Sequence, residues 1–248
     1  MKRKEKKRKK KRISLWVKLL LIVAVCAGLF FFASSSYFNV TSFQVEGSTY
    51  YSEDEILTMG NCKTGGNIFW GSGLADIKDR LEKDPYMAKV RIKRILPDKI
   101  KIEITERTQI GAVVYGDNYV VMDKDENVLR KTEVEPQLTL IKGLTISKIE
   151  VGQPIEVEEK VQMRQIMDMI VSMNESDMYF KSIEISEAGV KAYVLDYLVC
   201  VGTPQNITQA METGNLQKVI RGLFDINIER GTVKVSGDDY ISFSPAFD

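Results

Sequence analysis

The run Asp-Lys-Asp-Glu-Asn at 123–127 sets oxygen-bearing side chains at alternate positions, Asp123, Asp125 and Asn127, as the opening of a calcium loop does. The rest of such a loop is missing. Its sharp-turn glycine position holds Val128 and its bidentate glutamate position holds Val134, so a hairpin turn explains the run better. "GSGLAD" at 71–76 begins like a dinucleotide-binding turn, but Asp76 stands where the third glycine belongs and no strand runs directly into it. It reads as a loop that starts a helix. The chain contains no histidine, which excludes a Ser-His-Asp triad, a Cys-His pair and a histidine-ligated zinc site. It contains no Ser-x-x-Lys spacing either, so a Ser-Lys dyad would need residues distant in sequence. Carboxylates are plentiful, yet no pair is marked by spacing as general acid and base. No catalytic residue, metal or cofactor is expected.

Of the three cysteines, Cys26 lies in an apolar run where a partner is hard to find. Cys62 and Cys200 can form one disulfide in an oxidising compartment or stay as two small, partly buried thiols, and the sequence leaves both open. The sequons at Asn39, Asn174 and Asn206 matter only in a eukaryotic secretory pathway.

The net charge of +1 conceals a strong asymmetry. Residues 2–12 hold ten basic residues and one acid, and Lys18 adds an eleventh basic residue before position 37. Taken from totals of 35 basic and 34 acidic residues, these leave 24 against 33, so residues 37–248 carry about −9. A nucleic-acid binder places a basic field on its folded part, so no nucleic-acid partner is expected.

After the basic tail at 1–14 comes an apolar stretch at 15–36. Leu19, Leu20, Leu21, Ile22 and Val23 fill its first half, and Leu29, Phe30, Phe31 and Phe32 its second. Roughly 20 residues of helix cross the hydrocarbon core of a bilayer. Lys18 can snorkel to the phosphates beside an interfacial Trp16, and the positive-inside rule keeps the tail in the cytoplasm with the rest of the chain outside. Ala33 and the serines that follow also suit a signal-peptide cleavage site. The long polybasic region and the length of the apolar run favour a retained anchor.

The elements beyond the anchor are legible from periodicity. Thr41, Phe43 and Val45 alternate as a strand; Ser52 and Glu55 form a capping box before Ile56 and Leu57; Leu74, Ile77 and Leu81 share one helical face that Pro85 ends. A hairpin follows at 89–107. Val90, Ile92, Ile100, Ile102 and Ile104 take one parity, and Lys89, Arg91, Lys93, Lys101 and Glu103 the other. Residues 38–107 therefore read strand, helix, helix, strand, strand, which packs as a three-stranded sheet covered on one side by two helices. Its charged face is left open to solvent or to a partner.

From 108 to 248 the pattern is one of short strands around two helices. One helix carries a Met163, Ile166, Met167, Ile170 and Met173 stripe. The other starts at Asn206 and buries Leu216, Val219, Ile220 and Leu223. Two last strands share a Gly-Asp turn and present Val233, Val235, Ile241 and Phe243. This is a second, strand-rich α+β domain rich in antiparallel pairs, with no internal repeat.

The basic tail and single membrane helix, together with "FQVEG", "GNIFW", "LADIKDRLEKDPYMAKVRIKRILPDKIKIEITER" and "VVMDKDENVL", resemble the DivIB/FtsQ family of bacterial cell-division proteins. "YLVCVGTPQNI" and "GTVKVSGDDYISFSP" resemble that family's second domain, so the likeness runs from 13 to about 245. Little follows Pro245, where some relatives carry a long flexible tail, and no role of such a tail is carried over.

The resemblance implies an α+β protein with a transmembrane helix, a polypeptide-transport-associated (POTRA) domain of β-α-α-β-β order at 38–107, and the strand-rich domain at 108–248. It also implies a non-enzymatic divisome scaffold, a single-pass type II protein of the cell membrane at the division septum. Its partners would be bitopic proteins of the FtsL and DivIC/FtsB type, and it would help couple septal peptidoglycan synthesis to constriction. Within that frame the final strand pair, with Val233, Val235, Tyr240, Ile241 and Phe243, is a candidate docking edge, although the same residues also suit a core. Lys101 and Glu103 mark a candidate second surface. The rival readings are a membrane-anchored cell-wall hydrolase or peptidase and a POTRA-bearing export component. Only about 140 residues follow the first domain and they include two strong helices, which a closed barrel wall does not use.

Overall fold

Both periodicities find their packing partners in the computed structural model, which describes residues 15–186, 189–237 and 239–246. The expected basic tail at 1–14 lies outside the described residues. Helix α1 (Leu15–Ala33) has no buried residue and has the length and composition to cross a membrane. It ends three residues before position 36, where a 3-10 turn (Ser36–Phe38) takes over.

By internal contacts the chain divides into two units, residues 1–81 with 90–104 and residues 82–89 with 105–248. Besides α1, the first unit contains β1 (Ser42–Glu46), α2 (Glu53–Met59) and α3 (Leu74–Leu81), together with most of β2 (Met87–Ile95) and β3 (Lys99–Glu106). The sheet order is β1-β3-β2, and β1 runs parallel to β3 with Phe43 opposite Ile100 and Val45 opposite Ile102. A parallel neighbour requires a crossover, which α2 and α3 supply. Helix α2 starts where the sequence signals it: the Glu55 N–H donates to Ser52 Oγ at 3.4 Å, and the Ser52 N–H donates to Glu55 Oε2 at 2.9 Å. Ile56, Ile77, Leu81, Ile100 and Ile102 are all but fully buried, so helix stripe and strand parity share one core. In β2 the alternation breaks, because Met87 and Val90 are both buried at a spacing of three.

The second unit is a nine-stranded sheet with helices. Its strands are β4 (Gly111–Tyr115), β5 (Asn118–Met122), β6 (Val128–Thr132), β7 (Thr139–Lys142), β10 (Ser182–Ser186), β11 (Gly189–Tyr193), β12 (Leu198–Gly202), β13 (Gly231–Val235) and β14 (Ile241–Pro245). They lie in the order β14-β13-β12-β11-β10-β7-β4-β5-β6. The sheet is mixed: β4 and β10 both flank β7 in parallel, β12 is parallel to β13, and the other neighbours are antiparallel. Two strands too short for a period to register, β8 (Ile146–Lys148) and β9 (Glu156–Val157), pair apart from it.

Helix α4 (Lys160–Glu175) buries the expected stripe and Met169 as well, against a core that includes Val113, Ile141, Ile183, Cys200 and Val233. Ala112, Val121 and Leu140 are buried on the opposite parity, so the centre of the sheet is apolar on both faces. The helix expected from Asn206 is two helices. Thr203 caps α5 (Pro204–Glu212), accepting the Asn206 N–H at 3.2 Å with Pro204 at the first helical position. Gly214, at φ +74°, then turns the chain into α6 (Asn215–Asp225).

Candidate partner-binding edge

The last strand pair places the candidate residues in two different environments. Val233 and Val235 on β13 are at most 1% exposed and belong to the core. They hold the strand in place and present nothing to a partner. On β14, Ile241 and Phe243 are half-buried against that core, opposite Val235 and Val233, whereas Tyr240 just before it is 78% exposed.

The backbone parity of β14 follows from one hydrogen bond. The Ser236 N–H donates to the Tyr240 carbonyl at 2.9 Å, which makes that pair a hydrogen-bonded one. In an antiparallel ladder such pairs recur every second residue, so Ser242 opposite Lys234 and Ser244 opposite Thr232 also face β13. Ile241, Phe243 and Pro245 then turn their main-chain groups outward. Pro245 has no N–H to lose there and ends the row of donors. The outer edge thus offers the amides of Ile241 and Phe243 and the carbonyls around them.

The two ends of the nine-stranded sheet differ. At the first residue of β6 the outer edge is taken up by the chain's own loop: the Val128 N–H donates to the Gln153 carbonyl at 2.9 Å, and the Gly152 N–H donates to the Val128 carbonyl at 2.8 Å. Among the described residues no strand pairs with the outer edge of β14. An unpaired edge accepts a further strand through main-chain bonds.

Lys101 and Glu103 lie on the charged face of the first sheet as links in a ladder across its strands. Lys101 Nζ is 2.7 Å from Glu46 Oε2 and 3.4 Å from Glu103 Oε1, and Lys93 Nζ is 2.7 Å from Glu103 Oε2. The hydrogen bond to Glu46 raises the Lys101 ammonium, and the bond from Lys93 lowers the Glu103 carboxyl. Glu55 is lowered by its capping bonds to Ser52. A lowered carboxyl contributes stability that is complete above its unfolded value and is lost as pH falls through its folded one. A raised ammonium contributes stability below its unfolded value that is lost as pH rises through its folded one. The melting temperature of the first unit is expected to hold around neutral pH, to fall on acidification through and below the ordinary carboxylate range as Glu103 and Glu55 protonate, and to fall again as pH rises past the ordinary lysine range. Trp emission against temperature across that range checks it, and a melting point flat from about pH 3 to 7 would count against the ladder.

Asp123 is a turn anchor. Its Oδ1 accepts the N–H groups of Asp125 at 3.0 Å and Asn127 at 2.8 Å, and its Oδ2 meets Arg107 Nε at 3.1 Å. Among the described residues no cluster suits a metal ion. The three cysteines are free thiols; burial pushes Cys62 up to about 11 and Cys200 up to about 12, so neither is a thiolate at neutral pH. A Ser-x-Met spacing of the signal-peptidase kind occurs at Ser176 and Met178. Ser176 is the C-cap of α4, and its carbonyl accepts Gln217 Nε2 at 2.8 Å.

The family description "POTRA domain, FtsQ-type" matches residues 38–107. The chain is 28% identical over 208 residues to Cell division protein DivIB of Clostridium acetobutylicum, covering 79% of this chain and 82% of that one. It is 24% identical over 244 residues to Cell division protein DivIB of Clostridium botulinum, covering 93% of each. Over 115 residues it is 34% identical to Cell division protein FtsQ of Syntrophotalea carbinolica, covering 46% of this chain and 40% of that one.

Proposed function

Because the chain belongs to the DivIB/FtsQ family of cell-division proteins, we propose that it serves division as a non-enzymatic scaffold on the outer side of the cell membrane. It binds bitopic division proteins of the FtsL and DivIC/FtsB type at the septum and so helps couple septal wall synthesis to constriction. One observation carries this reading: among the described residues no strand pairs with the outer edge of β14, whereas the opposite end of the sheet is bonded by the chain's own loop at Val128 of β6. The anchor adds a physical reason. A helix of membrane-spanning length confines the protein to two dimensions and raises its effective concentration near partners anchored in the same way.

In this reading a partner segment adds as a strand beside β14, with Tyr240 contacting it. Ile241 and Phe243 fix the strand by packing inward. The uncovered face bearing Lys101 and Glu103 is a second contact surface. Neutral K101Q and E103Q changes test it better than charge reversal, because a carboxylate in place of the Lys101 ammonium would face both Glu46 and Glu103.

A photo-crosslinking residue at Tyr240 in dividing cells, combined with a fluorescent fusion, tests the proposal. The expected result is a septal band and an adduct with another bitopic division protein. An even membrane distribution with no adduct overturns it, and turnover of wall polymer by the purified chain would favour a hydrolase instead.

A further inference from the structure

Trp70 is 56% exposed, yet its surroundings hold it in a defined place. Its ring stacks on Phe30 of α1, with centroids 5.5 Å apart and planes 20° from parallel. Phe69 packs on it at 5.6 Å and on Phe38 at 5.3 Å, and Phe38 in turn meets Phe32 at 5.2 Å. The loop carrying these rings is tied to the end of α1 by hydrogen bonds. Asn67 Nδ2 donates to the carbonyl of Ala33, the last helical residue, at 2.8 Å, and Asn67 Oδ1 accepts the Phe69 N–H at 3.0 Å. The Ile68 N–H donates to Phe38 O, and the Val40 N–H to Gly66 O, each at 2.9 Å. The loop closes so tightly on itself that a Cβ on Gly66 would run into the Gly71 carbonyl, and one on Gly71 would lie 2.7 Å from the Asn67 nitrogen.

The position of Phe30 fixes the depth. At 1.5 Å per residue α1 is about 28 Å long, close to the roughly 30 Å of a hydrocarbon core. Phe30 lies three residues, about 4.5 Å, before its end, and helical side chains lean back toward the N-terminus. A ring stacked on Phe30 therefore sits level with the last turn of a spanning helix, just inside the boundary between acyl chains and headgroups. Indole is enriched at that level because its body is apolar and its N–H is polar. Asn67 meanwhile satisfies a helix-terminal carbonyl that lipid cannot.

We propose that residues 65–73 form an interfacial latch, in which Trp70, backed by Phe69, inserts at the outer-leaflet boundary of a phospholipid bilayer and holds the first unit against the membrane where α1 emerges. The latch rests on α1 being a span, and the two are separable by experiment. The chain has two tryptophans, so Trp16→Phe leaves Trp70 alone and Trp70→Phe leaves Trp16 alone. Each full-length variant is reconstituted into phosphatidylcholine vesicles with bromine placed high or low on the acyl chains. Trp70 is expected to emit to the blue of its denatured-state maximum and to lose emission about twofold with high bromine, less with low bromine, while resisting acrylamide. Trp16 quenched by brominated lipid but Trp70 unquenched overturns the latch and leaves the anchor standing. Neither quenched overturns both. Trp70 shielded from acrylamide and bromine alike also overturns the latch, since it would then be covered by protein.

Discussion

Replacing Ile241 with proline is expected to weaken binding of the proposed partner strand by more than about tenfold while leaving the β13–β14 hydrogen bonds in place. The parity of the last strand sets this expectation. The Ile241 N–H points away from β13, so proline there removes a donor that only an added strand would use and aims its ring at that strand. Proline at Ser242 does the opposite: it removes a bond to β13 and should loosen β14 from its sheet. Ile241→Thr keeps the amide and a β-branched side chain, and should bind within a few-fold of the native chain. Co-purification of the proposed bitopic partner from membranes, with circular dichroism as the folding control, measures all three. Equal binding by I241P and the native chain removes strand addition from the account. Equal loss in I241T and I241P assigns the effect to the side chain instead. Tyr240→Ala adds a separate term, about tenfold if the exposed ring fills a pocket on the partner.

Most of this edge was hidden in the sequence, for physical reasons. Alternation identifies a strand and its inward parity, so Val233, Val235, Ile241 and Phe243 could be grouped, but it does not say which strand ends a sheet. That depends on order in space, where β13 lies between β12 and β14 and therefore buries its valines completely. Lys101 and Glu103 read as a candidate surface open to solvent or a partner, and the ladder they belong to is not legible because their partners Glu46 and Lys93 come from other strands, one of them far away in sequence. Local signals fared better where the physics is local. The Ser52 and Glu55 capping box, the α4 stripe and the β3 alternation all work within a few residues, and each appears in the fold. The break at Gly214 leaves no mark in the periodicity because Leu216, Ile220 and Leu223 keep a helical period on their own, whereas Thr203 with Pro204 marks the true start of α5.

Arg107→Ala is expected to destabilise the second unit by about 3 kcal/mol, because breaking a buried ion pair strands its other half. Asp123 is 3% exposed at its side chain and Arg107 is 23% exposed, with 3.1 Å between Nε and Oδ2. The guanidinium also donates from Nη1 to the carbonyls of Pro85 at 2.9 Å and Met87 at 3.2 Å. One side chain therefore joins the 85–87 segment to the β5–β6 turn. At 2–4 °C per kcal/mol for a unit of this size, the melting temperature by circular dichroism should drop by about 6–12 °C. Arg107→Lys restores a charge but not the planar fork, and should recover only part of the loss. The double variant R107A/D123N discriminates between causes. If the stranded carboxylate is the main cost, neutralising it returns much of the stability, and the two changes together cost less than their sum. If R107A alone shifts the melt by less than about 2 °C, the pair is held too loosely to matter and the turn is maintained by the Asp123 bonds to Asp125 and Asn127 instead.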